Sequence, residues 1–409
     1  MGRHAPHATY FQSIMSPAAQ KREKKKKVMR KIESYLALIV LKVDFEFSLF
    51  RSQSSFSLPI LCRHTSKMPT SPKYDYCVCK CRSRVRNGSP PQTVFLLAGW
   101  PDTGDVFRGN IADRLTDRFD VVLLTLPGYV PAATGQTLPL FGWSLDELAI
   151  ALEKTIAEIT SVHDLNAKQK PIMVAHDWGC VVLSEFLLRW PKFFTKLVYL
   201  DLAPQLAGSA AHRWSLAALL FGTWAGVPLV CALQMLVYQL TLVVAFFLPA
   251  ALGTPLTKLV AKYSALGEAP HYVRQSLKYG GEKKAGKGDP FAGVQPSMNY
   301  LYPRVMVLIF TRVGILSSRL WREPSAPTFF AYGKLKPITY HTDEWLAHLS
   351  QRTDGSFAKG YEGRHWFFTE NQRPGTTTHA AVDHRVKEVP TESPQEYFLR
   401  DLESFLHAV

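Results

Sequence analysis

The string Ala175-His176-Asp177-Trp178-Gly179-Cys180 sets an acidic side chain between a short apolar run and an amphipathic one. Its pattern is small-x-Asp-x-small, the shape of a nucleophile elbow between a strand and a helix. A large side chain at 175 or 179 would collide with neighbouring backbone in so tight a turn. The turn lifts the central side chain to the carboxyl edge of a sheet. The N–H of Trp178 then faces the same space at a helix N-terminus, where negative charge is favoured. A carboxylate in that place is already ionised and needs no base before it attacks. Attack on an ester or amide would leave an unstable anhydride. Displacement at a saturated carbon leaves an alkyl ester, which an activated water can hydrolyse. An Asp before a helix is also a common N-cap, and the string by itself leaves both roles open.

The flanking sequence supplies the elements that such a turn requires. Tyr74–Val85 reads as a strand, Asn87–Pro91 as a turn cluster, and Thr93–Leu97 as an apolar run ending in Ala98-Gly99-Trp100-Pro101. Phe119–Leu126 is a further apolar strand, stopped by Pro127-Gly128. Ser144-Leu145-Asp146-Glu147 forms a capping box that opens a helix of period 3.6. Pro171–Ala175 is a short buried strand, Trp178–Trp190 a helix and Lys196–Leu202 another strand. The pattern resumes at Thr328–Gly333 and Ser356–Tyr361 and closes with a helix over Pro394–Ala408. Strands alternating with helices imply βαβ units and a mostly parallel sheet, an α/β fold. The expected organisation is a basic tail at 1–70, an α/β core formed by 71–204 and 326–409, and an inserted helical cap at 205–325. Residues 369–392 read as a polar loop.

Composition narrows the function classes. The net charge of +15 over 409 residues is unevenly held. Residues 1–90 carry 18 Lys/Arg and 5 Asp/Glu, and the remainder balances to +2. The basic charge belongs to the tail, including Lys21–Lys31, so a nucleic-acid partner is not expected for the body. The six cysteines include no CxxC pair, which argues against a zinc site. Cys77, Cys79 and Cys81 alternate as they would along one face of a strand. Sparse thiols fit a reducing compartment.

Four ordered motifs resemble the α/β-hydrolase superfamily, specifically its epoxide hydrolase and haloalkane dehalogenase branch. His176-Asp177-Trp178-Gly179 resembles the nucleophile motif of that branch, and Ala98-Gly99-Trp100-Pro101-Asp102 its oxyanion loop. Leu126-Pro127-Gly128-Tyr129 resembles the loop after the next strand, and His365-Trp366 the catalytic-histidine motif. The resemblance implies the α/β-hydrolase fold, with Asp177 as nucleophile and His365 as the base that activates water. It also implies an oxyanion hole from the N–H groups of Trp100 and Trp178. The triad acid is usually found after the strand read here as Thr328–Gly333, where this chain has Lys334-Leu335-Lys336-Pro337. Some dehalogenases carry it after the preceding strand, which here offers Asp201, with Asp343 as the fallback. Ala98 replaces the usual histidine of the oxyanion loop, and Arg364 intervenes between Gly363 and His365. Related epoxide hydrolases protonate the opened ring with two cap tyrosines, for which Tyr300 and Tyr302 are the candidates. Halide release would instead need indole N–H donors such as that of Trp178. No metal or organic cofactor is implied, and water is the second substrate.

The cap region has a distinct composition. Trp214 to Thr257 holds no charged residue over 44 positions, and Leu229–Leu248 is long enough to span a bilayer. A single span would put the two halves of one sheet on opposite sides of a membrane. The expectation is a hairpin dipping into lipid or a cap lying in the interface, on an intracellular membrane, with a small lipophilic substrate entering from lipid. The function expected is hydrolysis of a lipophilic epoxide to a diol through an alkyl-enzyme ester. Haloalkane hydrolysis, or a non-catalytic membrane-associated protein that keeps the fold, are the alternatives.

Overall fold

The runs Thr93–Leu97, Asp120–Thr125 and Ile172–His176 are buried along their whole length. Strands of that kind lie inside a sheet covered on both faces. In the computed structural model they form the centre of a seven-stranded sheet. The strands are β1 (Asp75–Cys79), β2 (Thr93–Leu97), β3 (Asp120–Thr125), β4 (Ile172–His176), β5 (Lys196–Leu200), β6 (Thr328–Gly333) and β7 (Phe357–Tyr361). Their order is β1-β3-β2-β4-β5-β6-β7, with β1 antiparallel to β3 and every other pairing parallel. The structure describes residues 71–83, 90–130, 136–203, 229–264, 293–304, 323–336, 340–369 and 393–408. All fall in the unit Lys67–Val409.

The described helices are α1 (Ile111–Leu115), α2 (Leu145–Val162), α3 (Trp178–Arg189), α4 (Leu229–Phe247), α5 (Ala250–Ser264), α6 (Asp343–Gln351) and α7 (Pro394–His407). The capping box at α2 forms as expected: the Glu147 amide donates to Ser144 Oγ and the Ser144 amide donates to the Glu147 carboxylate. The pleat sends alternate side chains of β2 to opposite faces. Phe95 and Leu97 join one core with Leu148, Leu152 and Ile156 of α2 and Val182 and Phe186 of α3. Val94 and Leu96 join the other with Ile111 of α1 and Phe398, Leu402 and Phe405 of α7. The α/β-hydrolase fold expected from the motifs is the fold observed. β1 is shorter than the expected strand. Cys77 and Cys79 on it are half-buried, Cys81 just after it is buried, and all three are free thiols.

β3 and β4 flank β2 on opposite sides, so chain direction across the sheet reverses between β2 and β4. The loops leaving the carboxyl ends of these two strands diverge there and open a crevice, the usual ligand position in such sheets. The loop after β2 begins at Ala98 and the turn after β4 is centred on Asp177, so both meet in that crevice.

Above it lies the described part of the cap. α4 and α5 form a hairpin around Pro249, with Gly253 set so close that a Cβ there would lie 2.4 Å from the Ala245 carbonyl oxygen. Leu242, Val260, Ala261, Met298 and Leu301 are buried in the same core as α2 and α3. The sequence places Leu229–Leu248 in a hairpin dipping into lipid or a cap lying in the interface, not in a single span. Gln239, Leu242 and Ala245 of α4 are buried, and no helix among the described residues is long and apolar enough to cross a membrane. Val237, Val244 and Phe247 on α4 and Leu252 and Leu259 on α5 remain exposed. The expectations for the tail at 1–70, for residues 205–228, 265–292 and 305–322 of the cap, and for the loop at 370–392 lie outside the described residues.

Candidate active site

Asp177 sits between β4 and α3 with φ 50° and ψ −124°, a conformation that L-residues rarely adopt. The neighbouring glycines explain how the turn is accommodated. A Cβ at Gly179 would lie 2.5 Å from the Leu97 carbonyl oxygen, and one at Gly99 would lie 2.4 Å from the Trp178 nitrogen. Only hydrogen at both positions lets the two loops touch. The Asp177 side chain makes no capping bond to α3, so the N-cap alternative does not describe it. Its Oδ1 instead accepts from the Trp100 amide at 2.7 Å. The Trp178 amide also favours the ionised carboxylate. The two amides named from the sequence therefore converge on one carboxylate oxygen region.

His365 follows β7. Its Nε2 is 3.5 Å from Asp177 Oδ2, and its Nδ1 is hydrogen-bonded to Asp201 Oδ2. Asp201, also at positive φ (69°), follows β5 and is fully buried. Its amide donates to the Ala331 carbonyl at 2.7 Å, and its Oδ1 accepts from the Gly333 amide at 3.1 Å. The same Oδ1 is 2.6 Å from Lys336 Nζ, a side chain only 5% exposed. Asp343, the fallback acid, opens α6 as an exposed first-turn residue capped by Thr342, away from this chain of contacts.

The loop carrying His365 is held from several sides. A Cβ at Gly333 would fall 2.0 Å from the Arg364 carbonyl oxygen, so that loop lies on bare β6 backbone. The inserted Arg364 is accommodated by projecting its side chain outward, where it is exposed. His176 Nε2 meets the His365 carbonyl oxygen at 3.2 Å, and the two rings are 4.5 Å apart. The Trp366 indole donates to buried Asp102 at 2.8 Å, tying the histidine loop to the loop after β2. That loop keeps its place although Ala98 stands where a histidine is usual: the Ala98 amide donates to the Leu124 carbonyl.

Charge follows from these contacts. Burial disfavours the His365 cation, but Asp201 and Asp177 outweigh it and raise its pKa to about 10. Burial would also raise the carboxyl of Asp177, yet hydrogen bonding and attraction from His365 hold it below the usual carboxylate range. Burial of Asp201 is overcome by Lys336 first and His365 second, so it too stays ionised. His176 is the opposite case: burial, then repulsion from His365, lowers it to about 3. The resting site is a row of alternating charges, Asp177, His365, Asp201 and Lys336, beside a neutral histidine.

The cap closes this row with aromatic rings. Tyr302 packs on Trp178 with ring centres 5.1 Å apart, and its hydroxyl is 2.9 Å from that of Tyr238 on α4. Trp100 lies edge-on to both tyrosines. Its indole donates to Asn299, which in turn donates to Thr257. Tyr300 is not part of this group. It is fully buried against Trp143 and Tyr129, and Gly142 lies beneath it, where a Cβ would come within 2.4 Å. Consecutive helical turning after Pro296–Asn299 sends Tyr300 and Tyr302 to different sides. Sequence reasoning missed Tyr238, the one tyrosine of α4, because nothing in an uncharged run sets its helical phase. It also missed Lys336 as a partner of Asp201. Among the described residues no group of three or more His, Cys, Asp or Glu is arranged to hold a metal ion.

Residues 92–272 match a family model described as the alpha/beta hydrolase fold. No curated protein sequence matches the chain. Among solved structures it is similar to an epoxide hydrolase of Bacillus megaterium in complex with an inhibitor. Identity is 17%, with 82% of this chain and 97% of that chain covered, at a TM-score of 0.50. A point mutant of the same enzyme, complexed with its naphthyloxy-propanediol product, gives the same identity, coverages and TM-score. At that identity the likeness is one of fold.

His365 is expected to stay an imidazolium through neutral pH and to lose its proton near pH 10, as read from its imidazole nitrogen resonances. A folded pKa raised above the ordinary 6.5 stabilises the fold fully below pH 6.5, and that contribution is lost as pH rises toward about 10. Urea unfolding across this window should show the decline, and His365→Gln should flatten it. An imidazole midpoint near 6.5 would contradict the arrangement.

Proposed function

We propose that this chain, a member of the α/β-hydrolase superfamily, hydrolyses a lipophilic epoxide to a diol through an ester on Asp177. The observation that carries the reading is the 3.5 Å separation of His365 Nε2 from Asp177 Oδ2, with Nδ1 held by Asp201. It brings the base within one water of the atom where the ester forms. A non-catalytic fold would have no need to keep a charged imidazole, mostly shielded from water, between two carboxylates.

The Asp177 oxygen attacks a ring carbon, and the ring C–O bond breaks with its electron pair on oxygen. Tyr302 supplies the proton. Its hydroxyl oxygen interacts with the Trp178 side chain and with Tyr238. When both of those donate, the Tyr302 O–H is free to point at the substrate. Burial holds both tyrosines well above their ordinary pKa, so each keeps its proton until a developing alkoxide takes it. The imidazolium of His365 returns a proton to the Tyr302 phenolate and, now neutral, removes a proton from water, which attacks the ester carbonyl. The resulting oxyanion is stabilised by the amides of Trp100 and Trp178, and its collapse releases the diol and restores the Asp177 carboxylate.

Commitment of the indoles favours epoxide over halide. Trp100 donates to Asn299, and the Trp178 side chain bonds to Tyr302, so neither indole is left for a departing halide. The rings of Trp100, Trp178, Tyr238 and Tyr302 make an apolar surround suited to a lipophilic substrate. The exposed Val237, Val244, Phe247, Leu252 and Leu259 favour contact of the cap with an intracellular lipid surface. Binding of the protein to phosphatidylcholine vesicles, lost in a Val244→Glu/Leu252→Glu variant, is expected. Equal vesicle binding by the two proteins would remove that part of the reading.

The His365→Gln variant, incubated with lipophilic epoxides, is expected to attack without hydrolysing. Mass spectrometry should then find the epoxide mass added to the peptide that holds Asp177, and Asp177→Asn should abolish the addition. Tyr302→Phe is expected to slow formation of this adduct by about a hundredfold. Absence of any adduct across a broad epoxide panel would count against the epoxide reading, and an adduct with haloalkanes alone would turn it to dehalogenation.

A further inference from the structure

The position where the family places its triad acid holds a cationic segment here, and one of its lysines is drawn into the site. Lys336 Nζ lies 2.6 Å from Asp201 Oδ1, 3.4 Å from the Asp201 carbonyl oxygen and 5.0 Å from the centre of the Tyr340 ring. Its side chain is 5% exposed and Asp201 is fully buried. Taking a lysine out of water costs several kcal/mol unless it is paired. A surface residue such as Lys334, which pairs with Glu362 at half exposure, bears no such cost. Burial of Lys336 against the carboxylate that holds the catalytic histidine therefore calls for a role.

We propose that Lys336 is a positioning residue for the hydrolytic step: by pairing with Asp201 it balances the charge of the site, so that His365 releases its proton when Asp177 becomes an ester. This rests on the reading of Asp177 as nucleophile and His365 as base. The charge count is short. At rest Asp177 and Asp201 are negative, and His365 and Lys336 are positive, a sum of zero. Attack on an epoxide makes one C–O bond at Asp177 and breaks one in the ring. The ring oxygen takes the electron pair and one proton, and Asp177 becomes uncharged. With Lys336 present, Asp201 and Lys336 still cancel, and His365 is neutral at no cost in unpaired charge. The proton it gives up replaces the one that Tyr302 passes to the ring oxygen. Without Lys336, a neutral His365 would leave the buried Asp201 carboxylate uncompensated. The imidazole would keep its proton and could not serve as a base.

The other groups facing His365 do not substitute for Lys336. His176, from the end of β4, is held neutral by burial. Tyr340, next to the histidine ring at 6.4 Å, keeps its proton because burial raises its pKa above the ordinary value. Asp102 is bonded to the Trp366 indole on the far side of His176. Arg364 points outward. His341, which feels Lys336, is lowered to about 4 by burial and is neutral.

The first arm of the test needs no substrate. Asp177→Asn removes the charge that esterification removes and keeps the shape. In the full-length Asp177→Asn protein, the His365 imidazole is titrated by NMR, alone and combined with Lys336→Met, Lys336→Gln or Lys336→Arg. The Met and Gln combinations are expected to raise the His365 midpoint by about one pH unit or more. Arginine, which keeps the charge, is expected to hold the midpoint of the Asp177→Asn background. Met and Gln are two independent neutral replacements, and either folded one suffices. Should neither fold, the hydrolysis rate of the Asp177 ester against pH in Lys336→Arg decides, since a charge role predicts an unshifted profile and a shape role a shifted one. An unchanged midpoint in folded Met or Gln variants overturns the proposal. Ester formation on Asp177 is scored separately. An unchanged midpoint with ester formed overturns the Lys336 role alone. A raised midpoint with no ester from any epoxide overturns the nucleophile reading and, with it, the catalytic use of Lys336.

Discussion

A partly buried imidazolium held between two carboxylates is the constraint around which this molecule is arranged. Removing an ion from water costs several kcal/mol even after relaxation. A pair of unit charges about 4 Å apart returns about 4 kcal/mol at an effective dielectric near 20. One partner roughly offsets the cost for His365, and two exceed it. That is why Asp177 on one side and Asp201 on the other both have to be held in place. Each is held by a backbone conformation at positive φ at the end of a parallel strand. The strand order brings those two ends together beneath the loop after β7.

The supports of this row are mostly backbone. Gly99 and Gly179 let the loop after β2 and the start of α3 close on the elbow, and Gly333 lets the histidine loop rest on β6. Trp366 and Asp102 join the two loops from below. The cap contributes the dry side, with Tyr238 and Tyr302 packed edge to face against Trp100 of the loop after β2. In the proposed reaction this division has a use. The lower layer fixes charge, the upper layer excludes water and donates a proton, and the row itself becomes two charges shorter, one of each sign, when the ester forms.

Much of the sheet and of the elbow was legible in the residues because both obey local rules. Short continuous apolar runs marked β2, β3, β4 and β6 to within a residue or two, and Ser144 with Glu147 marked the start of α2. The small residues around Asp177 marked a tight turn, since backbone approach excludes larger ones. Asp201 was legible as a candidate from its place after a strand, but its partnership with His365 depends on strand order, which no local pattern carries. Lys336 illustrates the limit. Read along the chain, Lys334-Leu335-Lys336 is a missing acid. Only the fold turns one of its lysines inward onto a carboxylate more than a hundred residues earlier in sequence. Tyr300 and Tyr302 were indistinguishable by spacing, and their different fates follow from packing: one fills the space over Gly142, and the other meets Trp178 and Tyr238. The long uncharged stretch suggested lipid. Its described part instead divides into a buried side that joins the core and an exposed side that does not.

The central claim is that an oxygen of Asp177, not a water, forms the first bond to substrate. Single-turnover reaction in ¹⁸O-labelled water, with enzyme in excess over a lipophilic epoxide, tests it most directly. The account predicts that the first diol released carries unlabelled oxygen and that the label is found in the peptide containing Asp177. Labelled oxygen in the first diol, with none in that peptide, would contradict it.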